Sequence, residues 1–257
     1  MITQIANLAK IETLLSNLKT TRFNSVLPVT IDVLEKNDKN QFLLKIGNKE
    51  LTTKSDKELD VGGKYWGVLK EDKDSKAVNL SQLLKKPKLL QMQRKNFLPQ
   101  LNETKLQDLI TKENPKTELK MQLLDKLSQS VSKNEFMTIT NMIAALNENV
   151  FTLVLKDENQ STMFQFKKRK KSNSEDDSNS EAKVDFYAAF EHLGPVEGVV
   201  STIGDERKVS LSLYYAESLD FLKKELENLD LEGLLYKKGK NIEPIYELSA
   251  SLLDVKG

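Results

Sequence analysis

The chain has 257 residues, of which 30% are charged and 39% hydrophobic, and its formal net charge is +1. This length allows one large domain or two small ones, and the balanced charge gives no general reason to expect nucleic acid or an anionic membrane as a partner. Because the chain contains no cysteine, disulfides and thiolate metal sites are excluded. Its apolar runs are too short to span a bilayer, and a cleaved secretory signal is not expected.

An amphipathic helix is predicted at the start of the chain, over residues 1–24. Isoleucine and leucine recur there at steps of three or four residues, the spacing of one helix face: Ile2, Ile5, Leu8, Ile11, Leu15 and Leu18. Such a helix either packs on its own protein or folds on contact with a partner, for example during export.

Residues 25–86 change to the two-residue period that is typical of β-strands. Polar turns separate short apolar segments, and Gly62 and Gly63 allow a sharp bend before the next strand. Five short strands at this spacing predict a small antiparallel β barrel of the OB or SH3 type.

The predicted barrel also suggests an alternative function, that of a nucleic-acid-binding adaptor. OB-like barrels bind single strands by stacking bases on exposed aromatic side chains. Tyr65 and Trp66 are adjacent, so they point to opposite faces of a strand and at most one is a stacking platform. A protein-docking or structural role for this unit is the preferred interpretation, and nucleic acid is not the expected partner.

A helical linker region is predicted over residues 87–148. Leucines recur at helical spacing through this stretch, after Pro87 has ended the strand-rich unit. Pro115 is typical of a first helical turn, and the spacing of Ser132 and Glu135 indicates a capping box.

The remaining residues, 149–257, are predicted as a C-terminal α+β domain. Residues 151–155 and 163–166 read as a hairpin that adds two strands to the sheet of this domain. A mobile loop is predicted over residues 167–183, because a basic run followed by serine, aspartate and glutamate buries too little apolar area to offset its ordering entropy.

Residues 184–249 carry the clearest pattern of the chain. They read as strand, tight turn at Leu193 and Gly194, strand, Gly204 turn, strand, leucine-rich helix and a closing strand over residues 243–249. The whole chain is therefore predicted as an α+β protein with an N-terminal β barrel, a helical middle and a mixed C-terminal unit of antiparallel strands and a helix.

The sequence contains few residues of the types that act as catalytic bases, nucleophiles or metal ligands, with one histidine and no cysteine. His192 is the single histidine, and a histidine in a turn is more often a surface residue than a general base. The sequence Gly62-Gly63-Lys64 lacks the spacing and the Ser or Thr of a phosphate-binding loop. We therefore predict no catalytic, cofactor or metal site and no small-molecule substrate, and we expect function through binding surfaces.

The stretch from Glu191 to Val196, with the hairpin, helix and strand after it, resembles the C-terminal domain of flagellar hook-length control proteins. Matching places are occupied by Leu193, Gly194, Val196, Gly204, Val209, Leu222, Leu226 and Gly239. The resemblance covers roughly the last quarter of the chain. Phe190 stands where the family often has proline, and Pro195 lies beyond the glycine instead.

The resemblance implies a non-enzymatic flagellar assembly protein that binds the type III export apparatus through its C-terminal domain. In that family the contact switches export from hook to filament proteins. The implied partners are export-gate, motor or hook proteins, and the implied location is the cytoplasm or the bacterial flagellum, with export by type III secretion as a further option. The residues expected to bind the partner are Leu193, Gly194, Pro195, Val196 and Val199.

The family members that measure hook length carry a long extensible region before this domain. Here the preceding chain is predicted to be folded, so the sequence contains no such ruler. A shortened relative that acts as a structural component of the flagellar motor is therefore part of the same expectation.

Overall fold

The computed structural model describes residues 27–37, 41–71, 78–91, 98–99, 101–157, 160–169, 182–203, 206–227, 233–237 and 241–248. These stretches form two β-sheets and five helices, so the predicted α+β class is confirmed. The helix predicted over residues 1–24 lies outside the described residues, as do residues 170–181 of the loop predicted over 167–183. The described ends of that loop, residues 167–168 and 182–183, are strand residues, so the prediction is wrong there.

The first sheet is antiparallel, with the strand order β3-β2-β1-β4-β5. Its strands are β1 (Val29–Asn37), β2 (Gln41–Ile46), β3 (Lys49–Lys54), β4 (Lys64–Glu71) and β5 (Val78–Lys85). Successive side chains alternate between its two faces. Ile31 and Tyr65 are paired across β1 and β4 and lie in a small core of this sheet, whereas Trp66 on the other face belongs to a larger core.

The prediction of a closed barrel for residues 25–86 is wrong. Within the described part of the chain, no pairing joins the edge strands β3 and β5, so the sheet is open. A small barrel buries only its inner face, but both faces of β4 are buried here, one by Tyr65 and one by Trp66. The sheet therefore packs its second face against the rest of the protein instead of closing on itself.

Four of the described helices lie in the middle of the chain: α1 (Lys88–Gln91), α2 (Glu103–Thr111), α3 (Pro115–Ser128) and α4 (Lys133–Asn147). Pro115 is the first residue of α3, as predicted. The hydroxyl of Ser132 accepts a hydrogen bond from the Glu135 N–H at 3.3 Å, which confirms the predicted N-cap. The Glu135 carboxylate accepts from the Val131 N–H at 3.0 Å, one residue before the cap. Among the described helices, none combines the length and apolar character needed to cross a bilayer.

The second sheet has six strands in the order β11-β10-β9-β8-β7-β6. Its elements are β6 (Val150–Asp157), β7 (Gln160–Lys168), β8 (Ala182–Phe190), β9 (Gly194–Ile203), β10 (Glu206–Leu213), α5 (Ala216–Glu227) and β11 (Gly233–Lys237). The β6–β7 hairpin joins this sheet, as predicted. Among the described strands of this sheet, β11 alone runs parallel to its neighbour, β10, because α5 carries the chain back to the end of the sheet at which β10 begins.

The closing strand was predicted over residues 243–249, and this placement is wrong for the described residues. Residues 241–248 contain no strand, and the last described strand is β11. The side chain of Gln165 donates to the Tyr246 carbonyl at 2.8 Å and accepts from the Tyr246 N–H at 3.1 Å. Since this amide group satisfies the backbone of Tyr246, the segment pairs with a side chain of β7 instead of a strand edge.

The larger hydrophobic core joins the N-terminal sheet, the helices and the C-terminal sheet. Its members include Trp66, Leu89, Leu123, Ile139, Phe164, Phe186, Leu213 and Leu222. The predicted boundaries at residues 86 and 148 fall between β5 and α1 and between α4 and β6. The core extends across both of them.

Candidate functional site

The turn between β8 and β9, residues 191–193, lies where the two sheets meet. The indole N–H of Trp66, on β4, donates to the carbonyl of Phe190 at 2.9 Å and to that of Glu191 at 3.2 Å. From the opposite side, the Ser218 hydroxyl at the start of α5 donates to the Leu193 carbonyl at 3.0 Å. We call residues 190–196 the junction turn. Its backbone carbonyls accept hydrogen bonds from β4 of the first sheet and from α5.

A buried ion pair lies beside the junction turn. The ammonium of Lys86 is 2.8 Å from a carboxylate oxygen of Glu191. The hydroxyl of Thr30 accepts from Lys86 at 2.6 Å and donates to Glu191 at 2.6 Å, which completes a three-membered hydrogen-bonded cluster. The Lys86 ammonium also lies 5.3 Å from the centre of the Trp66 ring, within range of a cation–π interaction.

Burial and pairing act in opposite directions on the two charges of this pair. Burial disfavours the charged form of Lys86 and lowers its pKa, against the opposing effect of the Glu191 carboxylate. For Glu191, burial raises the pKa, but the charge of Lys86 and the hydrogen bonds from Lys86 and Thr30 outweigh it, so the pKa lies below its ordinary value. The effect of burial on the pKa is larger than that of pairing at Lys86 but not at Glu191, because the Lys86 side chain is 2% exposed and that of Glu191 is 28% exposed.

Gly194, the first residue of β9, has a backbone conformation that favours glycine. Its φ is +77°, in the left-handed region, and a Cβ there would lie 2.5 Å from the ring of Tyr215. The ring of Tyr215 is buried, and its hydroxyl donates to the Gln82 carbonyl on β5 at 3.0 Å. Burial raises the pKa of Tyr215 well above its ordinary value, so the hydroxyl keeps its proton for this bond.

Replacing Gly194 with alanine is expected to destabilise the fold by about 1–3 kcal/mol for the backbone strain, with a further loss from the collision with Tyr215. Gly62→Ala is the matched control, because Gly62 has a φ of +79° but no atom within 4 Å of an added Cβ. Urea denaturation of both variants measures the two costs. Equal losses would show that Tyr215 moves aside without penalty.

The five residues predicted to bind a partner differ in their exposure to solvent. Leu193, Gly194, Pro195 and Val196 are buried in the junction turn. Val199 is half-buried and lies on the face of β9 where it pairs with Ser210 of β10. The first four therefore position the start of the β9–β10 hairpin, and Val199 is the member that reaches solvent.

The aromatic side chains considered for base stacking are not available. Trp66 is fully buried in the larger core and Tyr65 is buried in the core of the first sheet. Their opposite faces agree with the prediction, but neither has an exposed ring. Since the sheet is also open, no observation favours the nucleic-acid alternative.

His192 lies in the junction turn and is exposed, as expected for a surface residue. In the described part of the chain, no group of three or more histidine, aspartate or glutamate side chains is arranged to bind a metal ion. The charged cluster of Lys86 and Glu191 was missed in the sequence. The two residues are 105 positions apart, and no local pattern links them.

Comparison with models of protein families, with curated proteins and with solved structures found no match. Function is therefore inferred from the residues and the fold of this chain. The two features available for that inference are the junction turn, which is internal, and the β9–β10 hairpin that starts from it.

Proposed function

We propose that this protein is a non-enzymatic component of bacterial flagellar assembly, of the hook-length control type. In this proposal its C-terminal sheet binds the flagellar type III export apparatus, or, as a shortened relative, a component of the flagellar motor. Both forms use a protein-binding surface of the same hairpin.

The order of elements after residue 182 is the observation that carries the proposal. The resemblance implies strand, glycine turn, strand, hairpin, helix and closing strand, and the chain forms β8, the turn with Gly194, β9, β10 and α5 in that order. The next described strand, β11, lies before Gly239 and not at the predicted residues 243–249. Strands β9 and β10 pair without a register shift from Val196 and Leu213 to Ile203 and Glu206. Fold alone does not assign a function, so the contact surface needs its own argument.

We place the partner-binding surface on the outer part of the hairpin face that carries Val199. Cross-strand pairs there join Val199 to Ser210 and Ser201 to Lys208, whereas Ser212, which pairs with Glu197 on the same face, is buried. Val199 is an apolar centre among polar and charged neighbours, which is the arrangement of a small protein interface. The buried residues Leu193, Gly194, Pro195 and Val196 contribute by fixing where this hairpin begins.

A pull-down with the cytoplasmic domain of the export-gate switch subunit tests the proposal. Val199→Asp is expected to weaken binding by about tenfold or more, equivalent to about 1.4 kcal/mol, because a carboxylate would be desolvated at the centre of the contact. Val61→Asp is the matched control, since Val61 is exposed in the connection between β3 and β4 and lies outside this surface. Val196→Asp is unsuitable because Val196 is buried, so loss of folding would imitate loss of binding.

Binding by the intact chain, reduced by Val199→Asp and unchanged by Val61→Asp, would support the export-apparatus proposal. Failure of the intact chain to bind would overturn that proposal. Equal binding by both variants would show that Val199 is not part of the contact and that the binding surface lies elsewhere on the protein.

A further inference from the structure

Residues 241–248 lie on one face of the C-terminal sheet, and we call them the strap. The side-chain amide of Gln165, on β7, donates to the Tyr246 carbonyl at 2.8 Å and accepts from the Tyr246 N–H at 3.1 Å. Ile242 is buried in the larger core, and Ile245 and Leu248 pack against that core. A side chain of the sheet and a few apolar contacts therefore hold the strap in place.

The sheet side of this contact is rigid, whereas the strap is lightly held. Gln165 is fully buried, and its amide also donates to the hydroxyl of Thr152 on β6 at 3.2 Å, which fixes its orientation. Ile242 is the one buried residue of the strap, since the others are half-buried or exposed. The strap also forms no strand with a neighbour in the described part of the chain. Such a segment opens at a lower free energy than the strands beneath it.

The strap lies on the same face of the sheet as Val199. Cross-strand pairs join Gln165 to Tyr187 and Tyr187 to Glu197, and Val199 follows Glu197 by two residues, so these side chains share one face. Two strand spacings and two residues along β9 separate Gln165 from Val199 by about 12 Å. A standard interface buries about 800 Å² on each partner, which corresponds to a disc of about 16 Å radius. A partner centred on Val199 therefore reaches the strap.

A strap within this footprint either adds to the contact or gives way to it. The buried amide of Gln165 favours the second outcome, because it offers a donor and an acceptor to an extended backbone that lies above it. An extended segment of a partner supplies the same N–H and carbonyl as Tyr246. The exchange therefore leaves no buried amide group of Gln165 unpaired.

We propose that the strap is an autoinhibitory cover of the partner-binding face, and that an extended segment of the partner displaces it and bonds to Gln165 in its place. This inference rests on the proposed function, because the displacing protein is the partner that binds around Val199. The apparent affinity for that partner is then reduced to the extent that the strap is closed.

Amide hydrogen exchange in the unaltered protein tests whether the strap opens by itself. After correction for intrinsic rates, the N–H of Tyr246 is expected to exchange at least about tenfold faster than the slowest amides of β8, because local opening releases it whereas they need global unfolding. Equal protection would show that the strap opens only when the whole fold does, and would overturn the proposal.

A pull-down with the cytoplasmic domain of the export-gate switch subunit tests whether opening promotes binding. Ile242→Ser removes the buried anchor of the strap and is expected to raise the affinity at least about threefold, since more of the molecules are open. Val61→Ser places the same side chain at an exposed apolar position outside this face and is expected to leave the affinity unchanged. Adding Gln165→Leu to Ile242→Ser is expected to abolish the gain, because the partner's backbone loses its donor and acceptor.

The outcomes separate this inference from the proposed function. Binding by the unaltered chain that Ile242→Ser leaves equal or weaker would overturn this inference alone, because the strap would then be neutral or part of the contact. Absence of binding by both proteins would overturn the proposed function and this inference with it. Urea denaturation establishes that each variant is folded. If Ile242→Ser is unfolded, Ile242→Val is the milder variant, and the affinity is expected to change in the same direction.

Discussion

Replacing Trp66 with alanine is expected to lower the free energy of unfolding by about 3–5 kcal/mol. The side chain is fully buried where the two sheets meet, and its removal leaves a cavity in the larger core. It also removes the N–H donor to the carbonyls of Phe190 and Glu191. Urea denaturation followed by far-UV circular dichroism measures the loss.

Two further variants separate the contributions of Trp66. Trp66→Phe keeps a large apolar ring but leaves the two carbonyls without this donor, and a smaller loss of about 1–3 kcal/mol is expected. Phe136→Ala removes an aromatic side chain that is 46% exposed, and a loss below about 1 kcal/mol is expected. If Trp66→Ala cost no more than Phe136→Ala, the two sheets would not be packed together in solution as described.

Removing Glu191 is expected to cost about 3–5 kcal/mol, because Lys86 is 2% exposed and its charge stays buried without a partner. Removing Lys86 is expected to cost less, because the Glu191 side chain is 28% exposed. Lys86→Met and Glu191→Leu are the single variants. The double variant is expected to regain most of the stability, since two apolar side chains of similar length need no charge compensation. A double variant whose loss equals the sum of the single losses would show that the two residues do not interact.

Acid provides a second test of the same pair. The pKa of Glu191 is lower in the folded protein than its ordinary value, because Lys86 and Thr30 stabilise the carboxylate. Its stabilising contribution is therefore complete above the unfolded-state pKa and is lost as pH falls through the folded-state pKa. Unfolding free energies at pH 7 and pH 3 are expected to differ less in the Lys86→Met/Glu191→Leu variant than in the unaltered protein. An unchanged difference would assign the acid sensitivity to other carboxylates.

Local periodicity was sufficient to predict several elements of this fold. The two-residue period of residues 25–86 predicted five short strands, which are β1 to β5, and Pro115 and Ser132 marked the starts of α3 and α4. The leucine spacing after Tyr215 predicted α5. These signals lie within a few residues of one another, so they act before distant parts of the chain meet.

Which residues become buried by tertiary contacts was harder to predict from the sequence. The pattern Leu193-Gly194-Pro195-Val196 indicated a turn between strands, which is present, but not its burial. A turn of polar and apolar residues is usually on the surface. Here Trp66 and Lys86, both remote in sequence, cover it. The contact surface that we propose is therefore on the hairpin around Val199 and not on the turn.

The sequence alone determined that this protein is α+β, that it contains no cysteine chemistry, and where most of its strands and helices lie, because these properties follow from composition and short-range spacing. The tertiary structure decided that the first sheet stays open, that Trp66 is internal, and that Lys86 meets Glu191. Trp66 and Glu191 are 125 positions apart. Their contact depends on how two sheets pack, and a local pattern contains no information about that packing.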